Sequence, residues 1–132
     1  MSVSYINAPE LPPLPGVLSH AVVLHSAGLV YTSGQVAWDV KGEVVGDDLA
    51  TQFEKAYDNV ELALRAAGSS REKIIKETIY LAGYTPEQSD QLAGLLVAAR
   101  KGHPTPPAST GVSVAGLFRE EFLVEIEVVA TL

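Results

Sequence analysis

Two acids near the end of the chain, Glu125 and Glu127, are the residues whose type and spacing most directly offer chemistry. Two positions apart on an extended segment, they project from one face, ~7 Å from each other. A solvated acidic stripe is the plain alternative. If that face is covered, however, a desolvated glutamate has a raised pKa and can hold or activate a water. Ser33-Gly34-Gln35 is the second candidate. Glycine within a strand marks either a β-bulge or a close approach by a ligand or another chain. No G-x-S-x-G elbow surrounds Ser33, so a serine nucleophile is not expected. The histidines His20, His25 and His103 show neither H-x-x-x-H nor H-E-x-x-H spacing, and no metal site is expected. His20, at a strand start, is the best placed of them for a functional role. His103 reads as a helix-end residue favoured by the dipole. No phosphate loop or dinucleotide fingerprint is present, so no nucleotide cofactor is expected.

Composition narrows the class. The chain has 132 residues and is 47% hydrophobic, which fits one folded domain over 1–132. It contains no cysteine, which removes thiol chemistry and disulfides. Nine basic residues against sixteen acidic ones give a net charge of −7, and the basic residues are scattered. A nucleic-acid partner is therefore not expected, since phosphate recognition needs a basic surface. Apolar runs fall short of the roughly 20 residues of a membrane helix, and the first residues lack a basic, apolar leader pattern. The expected location is the cytoplasm, with no membrane partner.

The elements that must position these residues follow from local patterns. Residues 1–15, proline-rich from Pro9 to Pro15, predict an extended arm on the surface. Ser19 to Ser26 and Leu29 to Val36 predict a hairpin turning at Ala27-Gly28. Glu43-Val44-Val45 reads as a short extended piece. Asp47 or Asp48 is expected to cap a helix whose stripe runs Leu49, Phe53, Ala56, Tyr57, Val60, Leu64, closed by Gly68. Ile74 to Ala82 predicts a strand with Ile75, Ile79 and Leu81 on one face. Thr85-Pro86-Glu87-Gln88 predicts a capping box opening a second helix, with Leu92, Leu95, Leu96 and Ala99 towards the core. Gly102-His103-Pro104 ends that helix, and Pro104 to Pro107 reads as a stiff connection. Strands over Ser109 to Val114 and Phe122 to Leu132 complete the order β-β-α-β-α-β-β, an α+β sheet with two helices on one face. The other face is too apolar for solvent, which suggests burial against another subunit.

Taken in order, Ser19-His20-Ala21-Val22, Leu29 to Gln35, Asn59-Val60 through Ala67-Gly68, Pro107-Ala108-Ser109-Thr110 and Val124-Glu125-Ile126-Glu127 resemble the YjgF/RidA-like (Rid) family, over about Gly16 to Ala130. The resemblance implies a chorismate-mutase-like α+β fold, a homotrimer with small-molecule clefts between subunits, and hydrolysis of reactive imines and enamines to ketones and ammonia without metal or cofactor. The older endoribonuclease label attached to some members is not favoured by the acidic charge. Carried over residue by residue, Glu125 matches the water-positioning acid, and Ser33 and Gly34 match the kept strand segment. Where those deaminases carry a carboxylate-clamping arginine, this chain has Ser109. Gly111 stands in place of a cysteine, and Leu18, in Gly16-Val17-Leu18, in place of an aromatic. Losing a buried bidentate charge contact costs about 2–5 kcal/mol. The resemblance therefore implies a divergent deaminase whose substrate lacks a carboxylate, held by the Gly34 N–H and the Ser109 or Thr110 hydroxyls, or one in which His20 or Arg119 supplies the missing donor. The alternative is a non-catalytic trimeric module that binds a small metabolite or a partner enzyme.

Overall fold

The computed structural model describes residues 2–103 and 105–132. Its strands are β1 (Val3–Ile6), β2 (Ala21–Leu24), β3 (Leu29–Thr32), β4 (Gln35–Val36), β5 (Ile74–Ala82), β6 (Ala108–Val114) and β7 (Val124–Thr131), with helices α1 (Leu49–Ala66) and α2 (Ser89–Ala99). They form a single sheet in the order β1-β2-β3-β7-β5-β6, with β4 also pairing β7. Among the described residues only β5 and β6 run parallel; the other strand pairs are antiparallel.

Helix α1 follows its apolar stripe. Phe53, Tyr57, Val60 and Leu64 are fully buried against the sheet, each burial stabilising by about 1.5–3 kcal/mol. Of the two expected caps, Asp48 acts: its carboxylate accepts from the Thr51 N–H at 2.7 Å. The far end closes as a Schellman motif, with Gly68 at φ 85°, its N–H bonded to Arg65 O at 3.1 Å and Ser69 N–H to Leu64 O at 2.8 Å. The Thr85/Gln88 capping box opens a short 3₁₀ turn, Pro86–Gln88, that leads into α2. Both helices cover one sheet face, as expected. The open face carries Val22, Tyr31, Val129, Tyr80 and Val112 beside Glu125 and Glu127.

Three local expectations are corrected. The N-terminal segment is not a surface arm: Val3–Ile6 adds an edge strand on β2, while Ala8 and Leu11 are buried against Ala63 of α1. Ile75 does not share a face with Ile79 and Leu81. A bulge between Ile74 and Lys76 turns it to solvent, and the buried parity of β5 is Ile74, Glu77, Ile79 and Leu81. The second hairpin strand is broken at Ser33-Gly34 into β3 and β4. The extended piece at Glu43-Val44-Val45 is a single bridge from Val44 to Trp38. Pro104, read as part of the α2 end and of the stiff connection, lies outside the described residues.

Candidate functional site

Between Tyr31 and Gln35 the chain takes four residues where β7, from Val129 to Ile126, takes three. The surplus residue is a bulge at Ser33-Gly34, and Thr32 Oγ1 bridges it by accepting the Val128 N–H at 3.1 Å. The bulge lays Gly34 directly against Glu125. A Cβ on Gly34 would stand 2.7 Å from Glu125 Cδ and 2.9 Å from Cγ, so only glycine leaves the carboxylate its present seat.

Glu125 is half-buried at the floor of a cavity of about 350 Å³. Its walls are Leu14, Val17, Leu18, Val36, Trp38 and Phe118, with His20, Ser33 and Gln35 as the other polar members. Helix α1 positions one wall from below. Asn59 Nδ2 donates to both Val36 O and Trp38 O at 2.9 Å, and Gln52 holds Gly46 O, Glu121 O and the Leu123 N–H. Trp38 meets Phe118 and Phe122 edge-on at 5.7 and 5.8 Å.

Electrostatics set Glu125 apart. Burial first, and then the charge of Glu127, push its carboxyl above the ordinary value. Among the described residues no side-chain donor reaches it, whereas Glu127 accepts the Tyr80 hydroxyl. That bond, above all, pushes the Tyr80 phenol upward. The two acids share a face but not an environment: Glu127 is tied within the sheet, and Glu125 lines the cavity with no side-chain donor among the described residues.

The other candidates separate. Ser33 lines the cavity, but its hydroxyl donates to Ser19 O at 2.6 Å. His20, 3% exposed, accepts the Ala8 N–H at Nδ1 and donates from Nε2 to Pro12 O, both at 2.9 Å. With both ring nitrogens engaged it cannot be the substitute donor; it pins the strap of residues 8–18 along the cavity. Arg119 does not fill the role either. Its guanidinium lies over Trp38 and Phe118, 5.6 Å from each ring, and donates to Gly42 O at 2.8 Å. Leu18 lines the wall.

Ser109, Thr110 and Gly111 are not brought to the cavity of their own chain. β6 is two strands from β7, ~10 Å across the sheet. Ser109 registers with Glu77 and Val128 on the helix side, not with Tyr80 and Glu125. The Glu77 carboxylate beside it is gripped by Arg100 at 2.7 and 2.6 Å and by the Tyr57 hydroxyl at 2.6 Å. Burial of Glu77 works to raise its carboxyl, but these bonds, Arg100 first, outweigh burial and hold it below the ordinary value. Thr110 Oγ1 accepts from Lys76 Nζ at 2.7 Å, and Gly111 faces Leu92 of α2. No group of histidines and acids among the described residues could hold a metal ion, and no helix there is long and apolar enough to cross a membrane.

The aromatic wall of Trp38 and Phe118 went unread in the sequence, because neither residue sits in a periodic run. Glu77 did leave a signal: an acid on the buried parity of a strand requires a partner.

Comparison with known proteins agrees with this architecture. The family model described as Endoribonuclease L-PSP matches residues 12–132. AldR of Lactococcus lactis, named as a regulator, is 35% identical over 104 residues, covering 78% of this chain and 79% of its own. A RutC family protein of Pyrococcus horikoshii is 32% identical over 125 residues, 94% of this chain and 91% of its own. The Rid-family protein YyfA of Yersinia pestis superimposes with a TM-score of 0.85 at 30% identity, over 98% of this chain and 99% of that one. TdcF of E. coli, solved with bound serine, does so with 0.84 at 27%, over 98% of each chain. The chain belongs to the Endoribonuclease L-PSP family, which also carries the names YjgF, RidA and RutC.

Proposed function

We propose that this protein hydrolyses a reactive imine or enamine in the cavity above Glu125, without metal or cofactor, as a homotrimer in which a neighbouring copy closes the cleft. The observation that carries the reading is the Glu125 carboxylate. It is half-buried, raised by burial, seated against the Gly34 backbone and met by no side-chain donor among the described residues. A carboxylate so placed takes a proton from a water as the water adds to C=N, then returns it to the departing nitrogen. The serine held by the TdcF structure supports a small-molecule occupant. The open sheet face, with Val22, Tyr31 and Val129 on it, and the exposed β6 edge support a second copy as the closing surface. That edge carries Ser109, Thr110 and Gly111, which would reach a cavity only across such a boundary.

The test is release of carbonyl product from an imine made in situ, comparing wild type with Glu125→Gln. The expected loss is about 10²–10⁴-fold with the fold unchanged. Full activity in the variant sinks the mechanism. The second reading, a non-catalytic binding module, draws on the position of Ser109, which leaves the cavity of each chain without a cationic side chain among its described lining residues. Turnover that disappears in Glu125→Gln excludes it.

A further inference from the structure

We propose that residues 13–18 form a stiff apolar flap by which a ligand enters the cavity, and that His20 and Ser33 are its two clasps. They are positioning residues: their polar atoms hold the flap shut and leave the ligand to other groups. This rests on the cavity being a ligand site and on no particular reaction in it.

Each end of the flap is held from beneath by a side chain of the cavity lining. At one end His20 Nε2 donates to Pro12 O at 2.9 Å, and at the other Ser33 Oγ donates to Ser19 O at 2.6 Å. Partner chemistry fixes the imidazole. The Ala8 N–H can only donate, so Nδ1 accepts it at 2.9 Å, and the ring hydrogen stands on Nε2, opposite a carbonyl that can only accept. His20 is 3% exposed and Pro12 is buried within a single chain, so a neighbouring copy over the mouth does not replace these bonds.

Between the clasps the chain suits motion as one piece. Pro13 and Pro15 fix their φ angles, Gly16 turns at φ 77°, and the Val17 and Leu18 N–H groups return to Leu14 O at 3.0 and 3.3 Å. Among the described residues, no hydrogen bond ties 13–18 themselves to the rest of the chain. Leu14 packs inward on the cluster of Val36, Trp38 and Phe122, while Val17 and Leu18 line the cavity and remain exposed. Apolar contact and the two clasps keep the flap down, and segments held so lightly are the ones that open locally.

The Ser33 clasp also joins the flap to Glu125. The Ser33 N–H donates to His20 O at 3.0 Å, and the next residue, Gly34, seats the carboxylate. A flap that lifts at Ser19 loosens the dipeptide against which the acid sits, and a flap that is shut sets it.

The chain has no cysteine, so a single introduced thiol reads the flap without background. Val36, 4% exposed, lies in the lining beneath Leu14, and Val40, 48% exposed, lies outside the cavity. Full-chain Val36→Cys and Val40→Cys are labelled with dithiodipyridine, a neutral disulfide reagent, and followed by absorbance. Val36→Cys is expected to react about 10²-fold more slowly, because labelling waits for a local opening. Adding His20→Phe, which keeps a ring and loses both bonds, is expected to speed it by about 5–100-fold, and Ser33→Ala, which loses one, by about 2–10-fold. His20→Gln, whose amide again offers an acceptor and a donor, is expected to restore the slow rate. Phe53→Leu, on the helix side of the sheet, is expected to lower the melting temperature and leave the labelling unchanged. Val36→Cys reacting as fast as Val40→Cys would overturn the inference. So would a rate unmoved by both His20→Phe and Ser33→Ala, a His20→Gln variant as fast as His20→Phe, or an equal acceleration by Phe53→Leu. Labelling needs no substrate, so the two readings fail separately: fast labelling leaves Glu125 its chemistry, and an inert Glu125 leaves the flap its clasps.

Discussion

Gly34→Ala separates the position of the Glu125 carboxylate from the stability of the fold. The backbone tolerates alanine, because Gly34 is not in the left-handed region. The added methyl, however, would lie 2.7 Å from Glu125 Cδ and 2.9 Å from Cγ, where carbon contacts settle at about 3.5–4.0 Å. The carboxylate must retreat by about 1 Å. It is the far end of a flexible side chain, so the retreat costs only one unfavourable torsion, roughly 0.5–1.5 kcal/mol, and a few degrees of melting temperature. Catalysis is far less tolerant: a reacting group misplaced by about 1 Å loses on the order of 10²-fold in rate. The assay follows aldehyde release from an imine supplied by a flavin amine oxidase acting on benzylamine, above the spontaneous rate, with thermal melts on the same samples. The expected result is a variant that melts within a few degrees of wild type and has ~1% of its activity. Activity within about threefold of wild type would refute the assignment of Gly34 as the seat of the carboxylate. A variant that does not fold would show that the glycine serves the bulge and not the site.

Glu127→Gln should alter the pH dependence of the same reaction. Catalysis needs the Glu125 carboxylate, so kcat/KM rises as pH climbs through its raised value. Removing the Glu127 charge, the second cause of that rise, moves the limb to lower pH, while burial keeps it above an ordinary carboxylate. A limb that does not move takes Glu127 out of the electrostatics of the site. Arg100→Met tests the cluster beneath Ser109. Glu77 is 0% exposed, and stripping a buried carboxylate of its bidentate partner costs about 3–5 kcal/mol in urea unfolding at pH 7. The sign with pH follows from the depressed Glu77 carboxyl. Its contribution is complete above the unfolded value of about 4.3 and fades as pH falls through the lower folded value. Without Arg100, burial raises the Glu77 carboxyl in the variant, so the gap between wild type and Arg100→Met should narrow as pH falls through that raised value towards the lower wild-type one, and a constant gap would show that the loss is one of packing alone.

The readable parts of the fold were those in which one local rule settles the outcome. The α1 stripe, the Asp48 cap, the Gly68 closure and the Thr85 capping box each need only a few consecutive residues, and each forms. Expectations failed where a distant partner decides. Leu11, in a proline-rich stretch, has no periodicity to announce that it packs on α1. The Ile75 bulge is invisible until β7 supplies the register. His20 reads in the sequence as the histidine best placed for a functional role because the donor and acceptor that engage it, the Ala8 N–H and Pro12 O, come from backbone that the sequence predicts to be a surface arm.

The pair of acids shows where sequence pattern stops and geometry begins. Alternation along β7 places Glu125 and Glu127 on one face and gives no reason to prefer either. What separates them is two features of other strands. A bulge in the β3–β4 segment brings Gly34 against Glu125 and opens a cavity over it, and a tyrosine on β5, Tyr80, ties down Glu127. Exchanging those two features would exchange the roles of the acids. A Tyr80→Phe variant would leave Glu127 without its donor and place two unpaired carboxylates on the face. Their mutual repulsion would then hold a proton on the pair to higher pH, and the acid limb of kcat/KM would move to higher pH, opposite in direction to the shift in Glu127→Gln. Shifts of the same sign in both variants would mean that Tyr80 acts by packing, and that the difference between the two acids lies in burial alone.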